Sequence, residues 1–571
     1  LVRRLLGYGF RYRAHAWSLV FLTVLRAFQI PVLAWILAKV IGGPISRGDW
    51  ESTWKGALLF VGFAAFTIFT FHFRWRFGAM IGEKVMHDLR REIFSHLHQL
   101  TYDYFVRTKL GRSISRLTSD VEAVRAGVQE VLFVGIVQGG QMIIAAAFML
   151  WYDWTLFCVL LLMGPVLWAI NRAFHLRLSR STREVQESFS RVTATLAESV
   201  NGIRVTQSFV RENINEALFR DLALHHSTFN MKVARSNAQF GPLLEINSQF
   251  FLSVLLLLGA WQILHHRAGI EEIIAFFFLS HMFFGPIQNL GNLFTQALTS
   301  MAGAERIFQL LDQKPDWSDP PDAVDKTVWE GKVECRDLYF HYQEGREVLR
   351  GISFKAERGE TIALVGPTGC GKTTLINLIA KFYLPVSGDL YFDGVALGKI
   401  RTASLRSRLA MVTQNNFLFT GTVADNIRMG KPDASNGEVM GICRKLGIDD
   451  MIAGLPHGLE TLVGERGSGI SLGQRQLICF ARALIADPVV LILDEATSAV
   501  DAVTEAKLQE ALKVLLRGRT SFVIAHRLST ITGADRILVI RDGRLVESGR
   551  HDELIKKNGA YAAMTGQFSR I

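Results

Sequence analysis

The sequence predicts a membrane bundle of six transmembrane helices with long cytoplasmic extensions, followed by an α/β domain of the P-loop type. Three observations lead to this fold class. The first half holds six long apolar stretches, the second half alternates strand-like and helix-like segments, and a glycine-rich motif joins one strand to one helix. The 571 residues allow two or more domains, and the mean hydropathy of +0.22 is too high for an ordinary soluble protein.

The six apolar stretches follow a basic amphipathic segment at residues 3–16, which we expect to lie along a membrane surface. Each stretch supplies the roughly 20 residues that cross a hydrocarbon core of about 30 Å. A single stretch could be a buried helix of a soluble protein, but six in series predict a membrane domain. They lie near residues 17–42, 57–80, 127–150, 154–174, 241–264 and 273–298.

Basic residues are distributed unequally between the connections. The long, polar connections and the N-terminus hold 22 Lys and Arg, counted over residues 1–16, 81–125 and 172–238, whereas the short connections hold 3. Because cytoplasmic segments are enriched in Lys and Arg, we expect the N-terminus, the long connections and the C-terminal half to be cytoplasmic. This topology, rather than nucleic-acid binding, accounts for the net charge of +11.

The glycine-rich motif spans residues 366–373 and fits G-x-x-x-x-G-K-[ST] between a strand-like and a helix-like segment. Its glycines allow several backbone N–H groups to point into one concavity, and the helix adds its positive N-terminal end. The motif therefore predicts a site for the β- and γ-phosphates of a nucleotide, with the Thr373 hydroxyl on Mg²⁺. The predicted binding residues are Gly366, Pro367, Thr368, Gly369, Cys370, Gly371, Lys372, Thr373 and Thr374.

Two more motifs follow in the same half. An apolar run at 489–493 ends in Asp494, as a buried parallel strand presents an acid at its carboxyl edge. We expect Asp494 to hold Mg²⁺ through water and Glu495 to polarise an attacking water. Ser471 and Gly473 precede a helix-like segment and predict a second anion site. Two phosphate-binding features in one domain indicate that each serves a different nucleotide.

These motifs and their order resemble those of ATP-binding cassette (ABC) exporters, specifically bacterial half-transporters such as MsbA-like lipid flippases and multidrug exporters. In that family two cassettes dimerise head to tail, and each ATP lies between the phosphate loop of one and the signature motif of the other. The resemblance implies that Ser471 and Gly473, in the motif completed by Gln474, contact the γ-phosphate bound by a partner subunit.

The resemblance assigns further roles residue by residue. Tyr342 is similar to the aromatic that stacks on adenine, and Gln414 to the glutamine that senses Mg²⁺. Asp501 matches the D-loop, and His526 matches the switch histidine that contacts the γ-phosphate. The implied cofactors are ATP and Mg²⁺. The implied catalytic residues are Glu495, His526, Gln414 and Lys372, and the implied metal ligands are Thr373, Gln414 and Asp494. Segments 105–112, 201–205 and 464–467 resemble those that couple cassette and membrane domain.

The predicted domains are a transmembrane domain at 1–311, a proline-rich linker at 312–329 and an ABC ATPase domain at 330–571. The five cysteines show no paired or metal-like spacing, so we expect reduced thiols. Cys370 lies beside a helix N-terminus and Lys372, which predicts a reactive thiol that ATP protects. The chain begins at Leu1 rather than Met, so we expect residues to precede it, and no cleavable signal peptide is recognisable.

One residue departs from the family pattern. The usual signature is L-S-G-G-Q, and this chain has Leu472 at the first glycine. Because Ser471 and Gly473 are retained, we expect a working site and a homodimer. A heterodimeric exporter with one impaired ATP site also fits this departure and stays an alternative, as does a nucleotide-gated channel of the same architecture.

The function implied is ATP-driven export or flipping of amphipathic drugs or lipids by alternating access, in the inner membrane of a bacterium. The expected partners are a second half-transporter, membrane lipid and the cargo, without nucleic acid. A soluble ABC ATPase would lack the six stretches, and an importer would lack the long inner connections. Polar residues within the stretches predict either cavity lining or contacts between helices, and Arg26 could pair with Glu245. They are Arg26, Gln29, Glu245, Asn247, Gln249, His281, Asn289, Asn292 and Gln296.

Overall fold

A computed structural model of the chain describes residues 2–265, 269–494, 501–525 and 528–568. The chain divides into two compact units. The first comprises Leu1–Gln99 and Lys109–Gln313, and the second comprises Leu100–Thr108 and Lys314–Ile571. A short segment from the first third of the sequence therefore belongs with the C-terminal half.

The first unit is built from helices. The helices of the first 313 residues are α1 (Val2–Phe10), α2 (Arg13–Val40), α3 (Trp50–Gln99), α4 (Tyr102–Arg107), α5 (Leu110–Ser115), α6 (Val121–Ala126), α7 (Gly135–Tyr152), α8 (Trp154–Asn201), α9 (Ile203–Ser208), α10 (Glu212–Leu264) and α11 (Ile270–Leu311). Three π-helical segments connect them, at Ile41–Ile45, Arg116–Asp120 and Gly127–Val134. Of these helices, α4 belongs to the second unit.

All six apolar stretches predicted from the sequence fall on helices. Four segments in the described part of the chain are long and apolar enough to cross a membrane, namely Arg13–Ile45, Trp50–Gln99, Gly135–Tyr152 and Ile270–Ile287. The fourth and fifth stretches coincide with the shorter apolar segments Trp154–Val166 and Gln249–Leu264. The transmembrane character of the unit agrees with the prediction, while the count of six spans stays a prediction.

Polar side chains join neighbouring helices of this unit. Gln29 on α2 is 2 % exposed, and its Oε1 accepts a hydrogen bond from Thr70 Oγ1 on α3 at 2.7 Å. Of the two roles open to Gln29, the structure therefore supports contact between helices. Arg26 Nη1 donates to the Thr67 carbonyl oxygen at 3.2 Å, so the pairing of Arg26 with Glu245 that we considered is not what the structure shows.

The second unit is an α/β domain with three sheets. Its strands are β1 (Val333–His341), β2 (Glu347–Ala356), β3 (Thr361–Val365), β4 (Ser387–Phe392), β5 (Val395–Ala396), β6 (Leu409–Val412), β7 (Gly421–Thr422), β8 (Leu462–Val463), β9 (Val490–Asp494), β10 (Thr520–Ile524), β11 (Arg536–Arg541) and β12 (Arg544–Gly549). Its further helices are α12 (Lys372–Ile379), α13 (Thr402–Arg406), α14 (Val423–Arg428), α15 (Asn436–Lys445), α16 (Asp449–Ala453), α17 (Leu472–Ile485), α18 (Ala502–Leu516), α19 (Leu528–Thr532), α20 (His551–Lys556) and α21 (Ala560–Phe568).

The largest sheet has the order β12-β11-β3-β10-β9-β6. Its pairs are parallel except β11 with β12. A second sheet, ordered β2-β1-β4-β5, is antiparallel, and β7 pairs with β8 separately. In the parallel sheet β3 lies between β10 and β11. The loop that follows β3 therefore starts from a central strand of the sheet and not from an outer one.

The parallel strands are apolar on both faces because each face covers a separate core. On β3, Ile362 and Leu364 enter the core shared with the antiparallel sheet. Ala363 and Val365 enter the core formed with helices such as α15 and α17. This alternation follows from the two-residue period of a strand, and burial on both sides explains the continuous apolar runs in the sequence.

The proline-rich segment before β1 is anchored to the second unit. The Lys381 side chain is 1 % exposed, and its ammonium lies 2.9 Å from Asp319 Oδ1. Asp319 also accepts from the Thr402 hydroxyl at 2.6 Å and the Thr402 backbone N–H at 2.8 Å. Partial burial of Asp319 opposes its ionisation, but these hydrogen bonds outweigh burial and hold its pKa below the usual value.

We predict that Asp319→Ala destabilises the second unit, because it leaves the buried Lys381 ammonium without its counter-charge. Breaking a buried pair costs about 3–5 kcal/mol, and we expect the lower end because Lys381 also donates to the Ile400 carbonyl oxygen. The matched control is Asp325→Ala in the same segment, since the Asp325–Arg401 pair is exposed. Thermal unfolding, together with trypsin cleavage after Lys326, is the measurement. Equal behaviour of the two variants would contradict the anchoring role.

Candidate functional site

The phosphate-loop motif connects β3 to α12 as the sequence predicts. Gly369 and Gly371 adopt φ values of +85° and +108°, a region that residues with a Cβ rarely enter. A Cβ added to Gly371 would also lie 2.6 Å from Leu349 Cδ2. The backbone therefore requires glycine here, and it starts α12 directly at Lys372.

The Lys372 side chain is 8 % exposed and folds back over the loop. Its ammonium donates to the carbonyl oxygens of Gly366 at 2.7 Å and Pro367 at 3.0 Å. These contacts hold one full positive charge inside the loop. A phosphate group can compete for the same ammonium, since charge-assisted hydrogen bonds to phosphate are stronger than those to neutral carbonyl groups.

The prediction of a reactive Cys370 thiol does not fit the structure. Its Sγ does lie 3.8 Å from the Lys372 ammonium, but the side chain is buried. It packs in the core between the two larger sheets. The positive φ values on either side turn the Cys370 side chain inward, away from the reagents that would label it. The thiol that is exposed is Cys158 in the first unit.

A cleft of 1080 Å³ lies over the loop, and nine of the predicted site residues line it. They are Tyr342, Thr368, Gly369, Gly371, Lys372, Thr373, Thr374, Gln414 and Asp494. The volume of the cleft lies just above the range of about 300–1,000 Å³ for small-molecule sites. Residues from β1, the phosphate loop, the segment after β6 and the end of β9 thus converge on one space.

Tyr342 forms one wall of this cleft. Its ring is nearly perpendicular to those of Phe340 and Tyr383, with centroids 4.9 and 5.2 Å away. Its hydroxyl lies 3.2 Å from Thr374 Oγ1 on α12. Burial raises the pKa of the Tyr383 hydroxyl behind it, so Tyr383 carries no charge over the physiological range. Such a wall suits the planar, apolar face of a base.

Oxygen donors for a metal ion lie on the same cleft. Thr373 supplies a hydroxyl, Gln414 an amide oxygen and Asp494 a carboxylate. Mg²⁺ prefers such ligands and is commonly bound by one or two protein groups together with substrate phosphates. Accordingly, no group of three or more His, Cys, Asp or Glu side chains that could hold a metal occurs among the described residues. The donor set fits Mg²⁺ bound together with a triphosphate.

The signature residues do not line this cleft. Ser471 is the N-cap of α17, where its hydroxyl accepts from the Gln474 N–H at 3.3 Å and the Gln474 side chain accepts from the Ser471 N–H at 3.0 Å. Ser471 is exposed, Leu472 is 37 % exposed and Gly473 is buried. The start of this 14-residue helix thus lies outside the cleft over the phosphate loop.

Three other predicted residues have separate outcomes. Asp501 caps α18, and hydrogen bonds from the Thr504 backbone hold its pKa below the usual value. Glu495 and His526 lie outside the described residues. In the sequence, Glu495 directly follows β9, and His526 comes two residues after the end of β10. The parallel pairing of these two strands aligns Asp494 with Ile524, at the carboxyl end of each strand.

The sequence reasoning missed several charged residues of the cleft. Arg346 and Arg350 lie at the start of β2, and Arg107 lies at the end of α4. Arg107 Nη2 donates to the Tyr342 carbonyl oxygen at 3.2 Å. A basic pair four residues apart near the predicted adenine site was a usable signal for Arg346 and Arg350. Arg107 offered none, because it is about 230 residues away in the sequence.

Known protein families match both halves of the chain. Residues 17–287 match the family of ABC transporter transmembrane regions, and residues 349–498 match the ABC transporter family. YknV of Bacillus subtilis (strain 168), an uncharacterized ABC transporter ATP-binding protein, is 38 % identical over 98 % of this chain and 93 % of its own length. The ATP-dependent lipid A-core flippase of Desulfotalea psychrophila (strain LSv54 / DSM 12343) is 34 % identical over 84 % of each chain.

A solved structure extends the agreement to the whole fold. A bacterial Atm1-family ABC exporter with ATP bound superimposes with a TM-score of 0.80 and 25 % identity, covering 97 % of this chain and 98 % of that one. The chain belongs to the ABC transporter family. Within it, the chain is a multi-pass membrane subunit of the exporter type, whose second unit binds and hydrolyses ATP to drive transport.

We predict that Tyr342→Ala weakens ATP binding, because it removes the aromatic face against which the base stacks. Base stacking is worth about 1–3 kcal/mol, or roughly tenfold to hundredfold in affinity. Tyr342→Phe keeps the ring and should cost little. Tyr391→Ala is the control, since Tyr391 lies outside the cleft lining. Competition with a fluorescent nucleotide measures the affinities. If the two alanine variants bind ATP equally well, Tyr342 is not the stacking residue.

Proposed function

We propose that two copies of this chain form a homodimeric exporter that moves amphipathic lipids or drugs across the bacterial inner membrane, with both ATPase domains in the cytoplasm. One observation carries the proposal of a dimer. The cleft collects the phosphate loop, the adenine wall and the metal donors, whereas the helix start at Ser471 lies outside it and is exposed. Each subunit thus supplies two different halves of a nucleotide site.

The second half suits the end of a triphosphate chain. The start of α17 combines free backbone N–H groups with the Ser471 hydroxyl, and a helix N-terminus attracts anions. In a head-to-tail dimer, Ser471 and Gly473 of one subunit would meet the γ-phosphate held by the other. Leu472 is exposed at this surface, so its side chain can lie beside the nucleotide without displacing Ser471 or Gly473.

The predicted catalytic and metal-binding residues have distinct roles in hydrolysis. Lys372 binds the β- and γ-phosphates and offsets charge on the transferring group. When bound, Mg²⁺ neutralises further phosphate charge, and Thr373, Asp494 and Gln414 would hold it. Glu495 orients the attacking water and accepts its proton, and His526 contacts the γ-phosphate. The parallel register of β9 and β10 aligns Asp494 with Ile524, and Glu495 and His526 come shortly after these two residues in the sequence.

The proposed orientation of the protein in the membrane and the proposed cargo are both inferred from the first unit. The concentration of Lys and Arg in its N-terminus and long connections supports a cytoplasmic location for the N-terminus and the ATPase domain. Exposed polar residues of the first unit, such as His281 and Asn289 on α11, are available to line a cavity. Mixed apolar and polar walls suit amphipathic molecules, and one relative is named for flipping lipid A-core. A lipid or a drug of that amphipathic class is therefore the cargo we propose.

A heterodimer with one impaired ATP site is the second candidate, and Leu472 is the observation that favours it. In such a pair the altered signature would face the partner's phosphate loop, and the protein purified alone would not hydrolyse ATP. The homodimer is preferred because Ser471 keeps its capping geometry despite Leu472. A nucleotide-gated channel of the same architecture would conduct ions without moving cargo against a gradient.

We predict that Glu495→Gln abolishes hydrolysis and transport while ATP binding is kept, because the amide cannot accept a proton from water. Loss of a general base lowers turnover by about 10²–10⁴-fold. Glu510→Gln on α18 is the control, since Glu510 forms an exposed pair with Lys513. Both variants are reconstituted in lipid vesicles, and phosphate release and movement of a fluorescent lipid are recorded together. Turnover near that of Glu510→Gln would refute the assignment of Glu495.

A further inference from the structure

The first unit contains an apolar cavity of 470 Å³ between α1, α2, α3 and the helical segments around residues 124–136 and 297–301. Its inner wall is buried and includes Ala16, Ile81, Val85 and Val124. Its rim includes exposed apolar side chains, namely Phe10, Val24, Ile136 and Met301. The cavity therefore has a closed apolar interior and an apolar opening at the surface of a membrane unit.

The lining offers no unsatisfied polar side chain to a ligand. Among the described lining residues, hydroxyl groups come from Thr23 and Ser300, and no amide or charged side chain is present. Thr23 Oγ1 donates to the Leu19 carbonyl oxygen at 2.6 Å. Ser300 Oγ donates to the Ala123 carbonyl oxygen at 2.6 Å. Because both hydroxyls are bound within the protein, water gains little there and a hydrocarbon chain suits the cavity best.

Positive charge lies next to this cavity at the start of α2. Arg13, Ala16, Val20 and Val24 are spaced three, four and four residues apart and share one face of α2, and the last three line the cavity. In the described part of the chain Arg13 forms no ion pair, whereas Arg11 faces Asp88 at 3.8 Å. A cation thus precedes the apolar stripe by about one helical turn, an order that matches a phospholipid headgroup and its chain.

We propose that this cavity binds one acyl chain of an anionic phospholipid from the leaflet in which α1 lies, with its phosphate beside Arg13. The lipid is a bound component of the protein, distinct from the transported cargo. The volume of the cavity falls within the range of about 300–1,000 Å³ for small-molecule sites. Burial of each methylene group of the acyl chain favours binding. The bound chain would fill the space between the amphipathic α1 and the bundle.

Two glycines of α1 offer a matched pair of variants. A Cβ added at Gly9 or at Gly7 would meet nothing within 4 Å, and neither residue has a positive φ. Gly9 lines the cavity, whereas Gly7 is exposed and lies outside it. Leucine raises helix propensity equally at both positions, so Gly9→Leu and Gly7→Leu differ in whether a side chain enters the cavity. Val20→Phe fills the same space from α2.

The experiment uses the full chain in lipid nanodiscs with phosphatidylglycerol that carries a photoactivatable group in its acyl chain. We expect cross-links at Val20–Val24 and Val124–Val131, mapped by mass spectrometry. Gly9→Leu should lower the yield of these cross-links about tenfold, because the leucine side chain would keep roughly two methylene groups of the lipid from being buried. Gly7→Leu should leave the yield unchanged. Phosphatidylcholine with the same group should label less, and Arg13→Gln should reduce this preference about fivefold.

Three results would overturn the proposal. The first is equal labelling of the variants Gly9→Leu, Val20→Phe and Gly7→Leu, and the second is equal labelling of the unmodified protein by the two lipids. The third is displacement of the cross-links by candidate cargo. The last would identify a transport site instead of a lipid site. As a control for folding, the variants Gly9→Leu and Gly7→Leu must unfold at the same temperature. If Gly9→Leu unfolds at a lower temperature, Val20→Phe takes its place in the comparison. Cross-linking requires neither ATP nor transport, so its outcome is independent of the proposed export function.

Discussion

Binding a triphosphate requires several positive dipoles and one full charge within a space of a few ångströms, and the second unit is arranged around this constraint. Gly369 and Gly371 adopt positive φ values, so the loop turns tightly enough to begin α12 at Lys372. Strand β10 pairs in parallel with both β3 and β9. The carboxyl ends of β3 and β9 therefore lie at the same edge of the sheet. A buried sheet with a core on each face keeps these groups fixed.

The same constraint is the basis for the proposed dimer. The terminal phosphate of ATP carries charge on all sides, while the cleft would contact it from the loop side. The exposed start of α17, with its capping Ser471, supplies anion-binding groups that its own cleft does not use. Hydrolysis and association of two subunits are then linked, because the phosphate that is cleaved is also the group that joins the two surfaces.

Much of the architecture could be predicted from the sequence because it depends on local patterns. The apolar run ending in Asp494 and the motif around Lys372 specify a strand edge and a loop without knowledge of their neighbours. Contact between segments far apart in the sequence, by contrast, is a long-range property, so Arg107 could not be assigned to the cleft. The error at Cys370 has a local cause, since the direction of its side chain depends on φ values that the sequence does not specify. Whether Gln29 lines a cavity or joins helices depends on the partner helix.

The most direct test of the account mixes two inactive variants. Lys372→Ala disables the phosphate loop of its subunit, and Ser471→Arg blocks the surface that a subunit offers to its partner. In a mixed dimer one site carries both defects and the other is intact. The account predicts that each variant alone hydrolyses no ATP and that co-expression of the two restores hydrolysis. Mixed dimers as inactive as their parents would contradict the claim that two copies of this chain share each ATP site.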